Sequence, residues 1–468
     1  MGTEQTERAL RVAVIGSGPA GVYAAEALLR ADPPVDVDID VIDALPTPFG
    51  LVRYGVAPDH FKIKSVAKTL TKVMEDPRVR FIGNVEFGTD LTPDDLRTHY
   101  DAAVFATGSP HDRRLGVPGE DLPGSHAAAD FVAWYSGHPA YDPAFPLGAR
   151  QVAVIGAGNV ALDVARVLAL GSAGLAHTDV PDAALATLAE YPVDDIHIIA
   201  RRGPAQAKFT LVELREMAEL PGTEVVVDPA ELEVDAAGEQ AMAERRPTRT
   251  MVELFRTWAD RPSEGAARRI HFRFLRRPVE IAGPDRVTAV RLESAHMDGS
   301  GGVSGTGEVE TLPAQMVIRS IGYRGSPLPG LPFDAGSATV PNDAGRVLDG
   351  DGAPLPGLYV AGWIKRGPTG VIGTNRSDAA DTARSLLADA ADGRVPAAAE
   401  PGPEAVIATL RDRGVRFVTW EGWEGIDAFE RKLGVAGGRD RAKTPDLAAM
   451  LDAIGNAARE GDHGDRCG

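Results

Sequence analysis

Twice in this chain an apolar, β-branched run breaks off into a glycine pattern and then into a helix-forming stretch. The first run is Leu10–Ile15 (LRVAVI), followed at once by Gly16-Ser17-Gly18-Pro19-Ala20-Gly21. Residues 22–30 then read as a helix with Val22, Ala25 and Leu29 on one stripe, and residues 35–42 read as a strand ending at Asp43. That order is a βαβ unit, and the glycine spacing suits a dinucleotide. Gly16 permits the tight turn, Gly18 lets the backbone approach a pyrophosphate, and Gly21 lets the helix pack close to the strand. The amides at the helix N-terminus would receive the anion. Asp43, at the end of the second strand, is placed to accept hydrogen bonds from ribose hydroxyls.

The pattern returns at 151–155 (QVAVI), followed by Gly156-Ala157-Gly158-Asn159-Val160-Ala161 and a helix predicted through Leu168. Ala161 stands where a third glycine could be and is still small enough for close packing. Residues 193–200 form the second strand of this unit, but it ends at Arg201-Arg202 instead of an acid. A guanidinium pair can grip a 2′-phosphate that a carboxylate would repel, so this site should prefer NADPH to NADH. Residues 102–106 and 316–321 read as further buried strands, closed by Thr107-Gly108 and Gly322-Tyr323. Because 358–361 again looks like a closing strand of the first kind, the second unit is expected to be nested inside the first. The expected fold class is therefore α/β with two nested dinucleotide-binding domains. The predicted division is 1–109, an inserted 110–324, and a return at 325–468 with a C-terminal extension. Residues 293–309 are predicted to form a hairpin tip, 388–403 a connector, and the last dozen residues a disordered end.

A chain of 468 residues exceeds one core. It has no apolar run long enough to span a bilayer, and its polar start lacks a secretory or transit signal, so a cytoplasmic location is expected. Gly2 and Thr6 fit a myristoylation pattern, which is taken as a chance match. The single cysteine, Cys467, excludes an internal disulfide, a CxxC redox pair and a cysteine-ligated cluster within one chain. Electron chemistry would then rest on an organic cofactor or a partner, with no metal site expected. The net charge of −18 argues against nucleic-acid binding. Residues 241–280 nevertheless hold ten arginines against five acids, among them Arg268, Arg269, Arg273, Arg276 and Arg277. This is either a solvated face or a docking patch for an acidic partner.

Two further stretches draw notice. Residues 45–64 (LPTPFGLVRYGVAPDHFKIK) are too rich in Pro and Gly for a regular element, and His60 within them is a candidate for proton handling. Asp163, on the helix of the second unit, reads equally well as a solvated acid. Residues 362–375 (GWIKRGPTGVIGTN) carry four glycines and then a polar helix start. Close backbone approach to a flat ring system, with a helix N-terminus near a developing anion such as a reduced flavin, would explain them.

With these residues assembled, the chain resembles the adrenodoxin reductase-like ferredoxin–NADP⁺ reductases over nearly its whole length. The likeness rests on VIGSGPAG at 14–21, LPTPFGLVRYGVAPDH at 45–60, GNVALDVAR at 158–166, RRGP at 201–204, SIGYRG at 320–325 and GWIKRGPTGVIGTN at 362–375. The resemblance implies FAD contacts at Ala20, Asp43, Leu51, Val85, Trp363, Gly370, Val371 and Ile372. It implies NADP contacts at Ala157, Gly158, Asn159, Val160, Arg201, Arg202, Glu213 and Gly370, and proton-handling roles near the flavin and nicotinamide for His60 and Asp163. Two departures stand out: Asp43 where the family usually has Glu, and Phe49 where it often has Trp. The implied activity is electron flow from NADPH through FAD to an iron–sulfur ferredoxin that feeds a haem monooxygenase, in a family whose members are often monomers. A flavin monooxygenase and a non-catalytic dinucleotide sensor are the alternatives, while the single cysteine removes a disulfide reductase.

Overall fold

The computed structural model describes residues 8–263 and 265–454; Gly2, Thr6, Cys467 and the chain end lie outside them. Two sheets carry the architecture. The first has seven strands in the order Asn342–Asp343, Arg346–Leu348, Pro354–Val360, Ala102–Phe105, Leu10–Ile15, Val37–Ile42 and Val79–Ile82. Its last five strands run parallel. The second has six strands, all parallel, in the order Ser125–Ala127, Met316–Arg319, Gln151–Ile155, Asp195–Ile199, Arg268–Arg273 and Thr223–Val227. Helices cover both, which is why their central strands are near-continuous apolar runs rather than alternating ones: Val12, Ala13 and Val14, like Val152, Ala153 and Val154, are wholly buried.

The second sheet is inserted whole between two halves of the first. The chain leaves through His111–Asp112 and returns through Tyr323–Arg324, and these two passages pair antiparallel as a neck. A three-stranded antiparallel sheet, Arg276–Ala282, Ala289–Met297 and Val303–Pro313, flanks the inserted unit. The expected nested α/β fold is thus present.

Several boundaries shift for physical reasons. The 45–64 stretch contains two single-turn helices, Leu51–Tyr54 and Phe61–Lys64. The helix of the second unit runs Asn159–Leu175 past a non-helical Gly171 (φ 58°), a conformation open to glycine. The hairpin tip narrows to 298–302, because Asp298 caps its own turn with bonds to the Ser300 and Gly302 amides at 2.9 Å each. The helix Thr374–Ala391 consumes the start of the expected connector.

The last described segment ties both units together. Glu430, on the helix Trp420–Ala436, pairs with buried Arg53 at 2.5 Å. Lys443 donates to the Arg53 carbonyl at 2.6 Å and pairs with Asp179 of the inserted unit at 3.2 Å. Arg439 donates to the carbonyls of Thr178 and Val180 at 3.1 and 2.6 Å. No helix among the described residues is long and apolar enough to cross a membrane.

On neighbouring strands of the second sheet, His197 and His271 stack with ring centroids 4.3 Å apart. Burial first, then the facing His271, Arg273 and Arg269 charges, push His197 down to about 3 against the pull of Asp195. A ring held neutral in the fold but free to protonate when unfolded costs stability as pH falls below 6.5. His197→Phe should therefore show a smaller drop in Tm between neutral and mildly acidic buffer than the wild type, read by calorimetry. An equal drop in both proteins would refute this account.

Candidate active site

Both glycine turns are built by the same backbone geometry. Gly16 N donates to the Ile42 carbonyl at 2.7 Å and Gly156 N to the Ile199 carbonyl at 2.9 Å, so each turn hangs on the end of its second strand. Gly16 has φ 109°, and a Cβ there would lie 2.6 Å from the Ala106 oxygen; at Gly156 (φ 147°) a Cβ would run into the Ser320 oxygen. A Cβ at Gly21 would strike the Gly16 oxygen, whereas Ala161 fits its own turn fully buried. Gly18 and Gly158 are different: their backbones are extended, and a Cβ would meet nothing within 4 Å. These two positions open onto space at a helix N-terminus, the cradle that a pyrophosphate fills.

At the first turn the Asp43 carboxylate folds back onto the turn. Its Oδ2 accepts from the Ser17 amide and hydroxyl at 2.7 and 2.6 Å, and Oδ1 accepts from the Leu45 amide at 2.9 Å. Burial pushes this carboxyl up, and those three bonds pull it back. The short side chain thus braces the turn and leaves Oδ1 the freer oxygen for a ribose. Val85, buried, donates its amide to the Asp43 carbonyl at 2.9 Å, closing the same corner.

Two distant segments converge here. Phe49 N donates to the Ser17 carbonyl at 3.1 Å, and a Cβ on Gly50 would lie 3.0 Å from the Gly18 Cα. Phe49 itself sits at φ 81°, a strained value for an aromatic residue. Its ring packs edge-on against Trp420 and Trp423, 6.3 and 6.2 Å away. From the other side, Gly362 (φ 76°) would bring a Cβ to 2.5 Å from the Ala20 Cβ. Asp378 holds that turn by accepting from the Gly362 amide at 2.6 Å and pairing with Lys365 at 3.0 Å. Trp363 stacks on Tyr323 at 5.8 Å. Leu51 and Val371 are apolar yet 46% and 67% exposed, and Gly370 (φ 84°) and Ile372 lead into the open N-terminus of Thr374–Ala391. Exposed apolar side chains beside an open glycine turn suit a flat ligand that would cover them.

At the second turn Ala157, Gly158, Asn159 and Val160 are half-buried. Asn159 Oδ1 accepts from the Thr210 amide at 2.9 Å, and Lys208 donates to the Ala157 carbonyl at 2.8 Å. This brace sets the following helix, Leu211–Glu216. Arg201 and Arg202 lie beyond the second strand, and among the described residues neither guanidinium has an ion-pair partner, as an anion site requires.

Glu213 does not stand with them. It belongs to a cluster around Arg166, a guanidinium only 2% exposed. Arg166 pairs with Asp59 and Asp163 at 2.7 Å each, and with Glu213 and Glu216 at 3.3 and 3.7 Å. His60 completes the group: its Nε2 lies 3.2 Å from both Glu213 and Glu216. Asp163 is therefore no solvated helical acid. Burial pushes its carboxyl up to about 6, against the lowering effect of Arg166 and His60. The Tyr135 hydroxyl is buried with no partner, and its phenol is pushed well up by burial and by the Asp163 charge. His60, Glu213 and Glu216 bring three potential ligand atoms within 4.8 Å of one another. Arg166 already supplies the cation between the carboxylates, so the arrangement is an ion-pair network. The sequence singled out His60 and Asp163 for proton handling and Glu213 as an NADP contact. It passed over Asp59, Arg166 and Glu216 here and Ser17 and Asp378 at the first turn, because Asp59 meets Arg166 only across 107 residues and the others carry no motif of their own.

The arginines of 268–277 form no free patch. Arg269 pairs with Asp195, Arg273 and Arg276 with Glu231 and Glu310, and Arg277 with Glu293. Arg268 donates to the Val193 carbonyl at 2.9 Å. Exposed arginines without an ion-pair partner among the described residues lie earlier, at Arg245, Arg246, Arg249 and Arg256, on and beside the helix Arg246–Ala259.

Gly18→Ala and Gly158→Ala should leave the fold and Tm nearly intact, since a Cβ there meets nothing within 4 Å, while weakening dinucleotide retention at the first and second turn respectively. Gly16→Ala should lower Tm outright. Circular dichroism with flavin absorbance and NADPH titration reads both; a Gly18 variant that keeps its flavin as tightly as the wild type would refute the cradle. Asp163 is the second test. Its folded pKa is raised from 3.8 to about 6, so ionisation weakens the fold as pH rises through that range and remains a penalty above it. Asp163→Asn should raise Tm at pH above about 7 while slowing any proton-linked step; a lower Tm there would contradict the sign.

With this geometry in place, the chain's likenesses follow. It matches the Pyridine nucleotide-disulphide oxidoreductase family over residues 10–218. It is 48% identical over 453 residues to NADPH-ferredoxin reductase FprA of Mycobacterium tuberculosis, covering 94% of this chain and 98% of that one. It is 40% identical over 468 residues to the human mitochondrial NADPH:adrenodoxin oxidoreductase, covering 96% and 93%. The solved structure of M. tuberculosis FprA in complex with NADPH superposes with a TM-score of 0.90 at 46% identity, covering 96% of this chain and 100% of that one. With relatives 48% and 40% identical over nearly the whole length of both chains, this chain belongs to the family of NADPH-ferredoxin and NADPH:adrenodoxin reductases.

Proposed function

We propose that this chain is an FAD-dependent reductase that passes electrons from NADPH to an iron–sulfur ferredoxin, with a haem monooxygenase as one class of consumer. The observation that carries the reading is the difference between the two turns: the first ends its second strand in Asp43, the second in two arginines with no ion-pair partner among the described residues. In this reading residues 1–109 and 325–468 form the flavin domain and 110–324 the NADPH domain. The first turn (Gly16, Gly18, Ala20, Gly21) with Asp43, Leu51, Val85, Trp363, Gly370, Val371 and Ile372 would hold FAD. Ala157, Gly158, Asn159 and Val160 with Arg201, Arg202, Glu213 and Gly370 would hold NADPH.

FAD, when bound, supplies the link between a two-electron donor and one-electron acceptors. The protein's own residues do the rest. The amides of Ala20 and Gly21 in the first helix and of Asn159 and Val160 in the second would receive phosphate charge, and the N-terminus of Thr374–Ala391 would offer a positive dipole end to the reduced flavin. Arg201 and Arg202 select the 2′-phosphate. His60 and Asp163, joined through Arg166, can hold or move a proton beside the reacting rings. The single cysteine leaves no dithiol to reduce, although the matched family is named for disulphides. Arg245, Arg246, Arg249 and Arg256 offer an acidic ferredoxin a transient, salt-screened surface. The proposed location is the cytoplasm and the proposed state a monomer.

Replacing both Arg201 and Arg202 with Ala should raise the NADPH KM by about 100-fold, the worth of two charge-assisted hydrogen bonds, and leave NADH nearly unchanged. Equal losses for both nucleotides would exclude the 2′-phosphate role. Anaerobic mixing with NADPH and a set of purified ferredoxins, with NADH as control, tests the whole reading. A flavin that stays oxidised, or NADPH consumption that never reduces a ferredoxin, overturns it. Ferredoxin reduction should also weaken with salt and with Arg246→Glu or Arg249→Glu.

A further inference from the structure

Among the described residues, Arg166 is the one guanidinium or ammonium paired with this cluster of four carboxylates and an imidazole, and it is placed to decide where the imidazole keeps its proton. Two of its partners, Asp59 and His60, come from the 45–64 loop, and the rest from Asn159–Leu175 and Leu211–Glu216. Its Nη2 lies 2.7 Å from Asp163 Oδ1 and 3.4 Å from both His60 Nδ1 and Asp59 Oδ1. A guanidinium has five donors and no acceptor, so the ring nitrogen facing it must accept. The other ring nitrogen, Nε2, has carboxylate oxygens of Glu213 and Glu216 at 3.2 Å, and carboxylates only accept, so Nε2 must donate. Both faces of the ring specify the same tautomer.

We propose that Arg166 is a positioning residue that holds His60 as the Nε2–H tautomer, with its proton aimed at Glu213 and Glu216 and its Nδ1 kept bare. The same guanidinium fixes the Asp163 carboxylate through the neighbouring hydrogen, so the two proton-handling candidates are set in one geometry. Their proposed use near flavin and nicotinamide rests on the reductase reading; the tautomer does not.

Nitrogen-15 NMR of the flavin-loaded protein with ring-labelled histidine tests it, the His60 signals among the ten histidines being assigned by their loss in His60→Gln. Wild type should show a pyrrole-like Nε2 and a pyridine-like Nδ1. Arg166→Met, which removes donor and charge, should lose that single pattern, and Arg166→Lys, which keeps a cationic donor, should retain it. In Arg166→Met the rate of flavin reduction by NADPH should fall by about tenfold or more with KM little changed. A proton on Nδ1 in wild type, alone or as imidazolium, overturns the proposal, as does an unaltered pattern in Arg166→Met. If that variant fails to fold, the wild-type spectrum decides. NADPH bleaching of the wild-type flavin reports separately: its failure removes the reductase reading and leaves the tautomer assignment standing.

Discussion

At Gly16 and again at Gly156 the backbone passes a carbonyl of the adjoining strand too closely for any side chain, and the rest of the site depends on that exclusion. Each crowded glycine forces the chain to turn at once from strand into helix. The turn leaves the next glycine, Gly18 or Gly158, facing open space at a helix N-terminus. Unsatisfied amides and a positive dipole end are thereby concentrated where an anionic ligand can reach them. The 45–64 loop and the 362–375 stretch then close on the first turn only because Gly50 and Gly362 carry no side chain there. Phe49 is held in a strained conformation by two tryptophans of the last long helix, so the loop is fixed by packing rather than by preference.

Between the two units the organising force is electrostatic. Burying Arg166 is costly unless carboxylates surround it, and Asp59, Asp163, Glu213 and Glu216 do so from three separate segments. The match is not complete. Asp163 remains pushed up to about 6 because burial outweighs its cation. A buried carboxyl left with so high a pKa is a local cost to stability of the kind found at working sites. A second ionic junction, from Glu430 and Lys443 to Arg53 and Asp179, fastens the same loop to the chain's last segment and to the inserted unit.

Much of this was legible in the sequence, and the reasons differ by residue. The glycine turns were legible because close approach admits no substitute, so the constraint is written in single letters at fixed spacing. The insertion was legible because a closing strand recurs after residue 357. Arg201 and Arg202 were legible because strand ends fall at predictable offsets from a glycine turn. By contrast, Arg268, Arg269, Arg273, Arg276 and Arg277 read as a basic patch although Asp195, Glu231, Glu293, Glu310 and the Val193 carbonyl occupy them. Asp43 read as a ribose acceptor, and the structure shows its carboxylate bracing Ser17.

Local chemistry along the chain thus determined the fold class, the two anion-ready turns and the unlike charges that end their second strands, because each depends on residues close in sequence. Which acids meet which bases was decided only by the tertiary structure. Asp59 and Arg166 are 107 residues apart, and Arg53 and Glu430 are 377 apart. No spacing rule reaches across such distances; only the docking of the inserted unit and of the last described segment against the 45–64 loop sets those groups within bonding range.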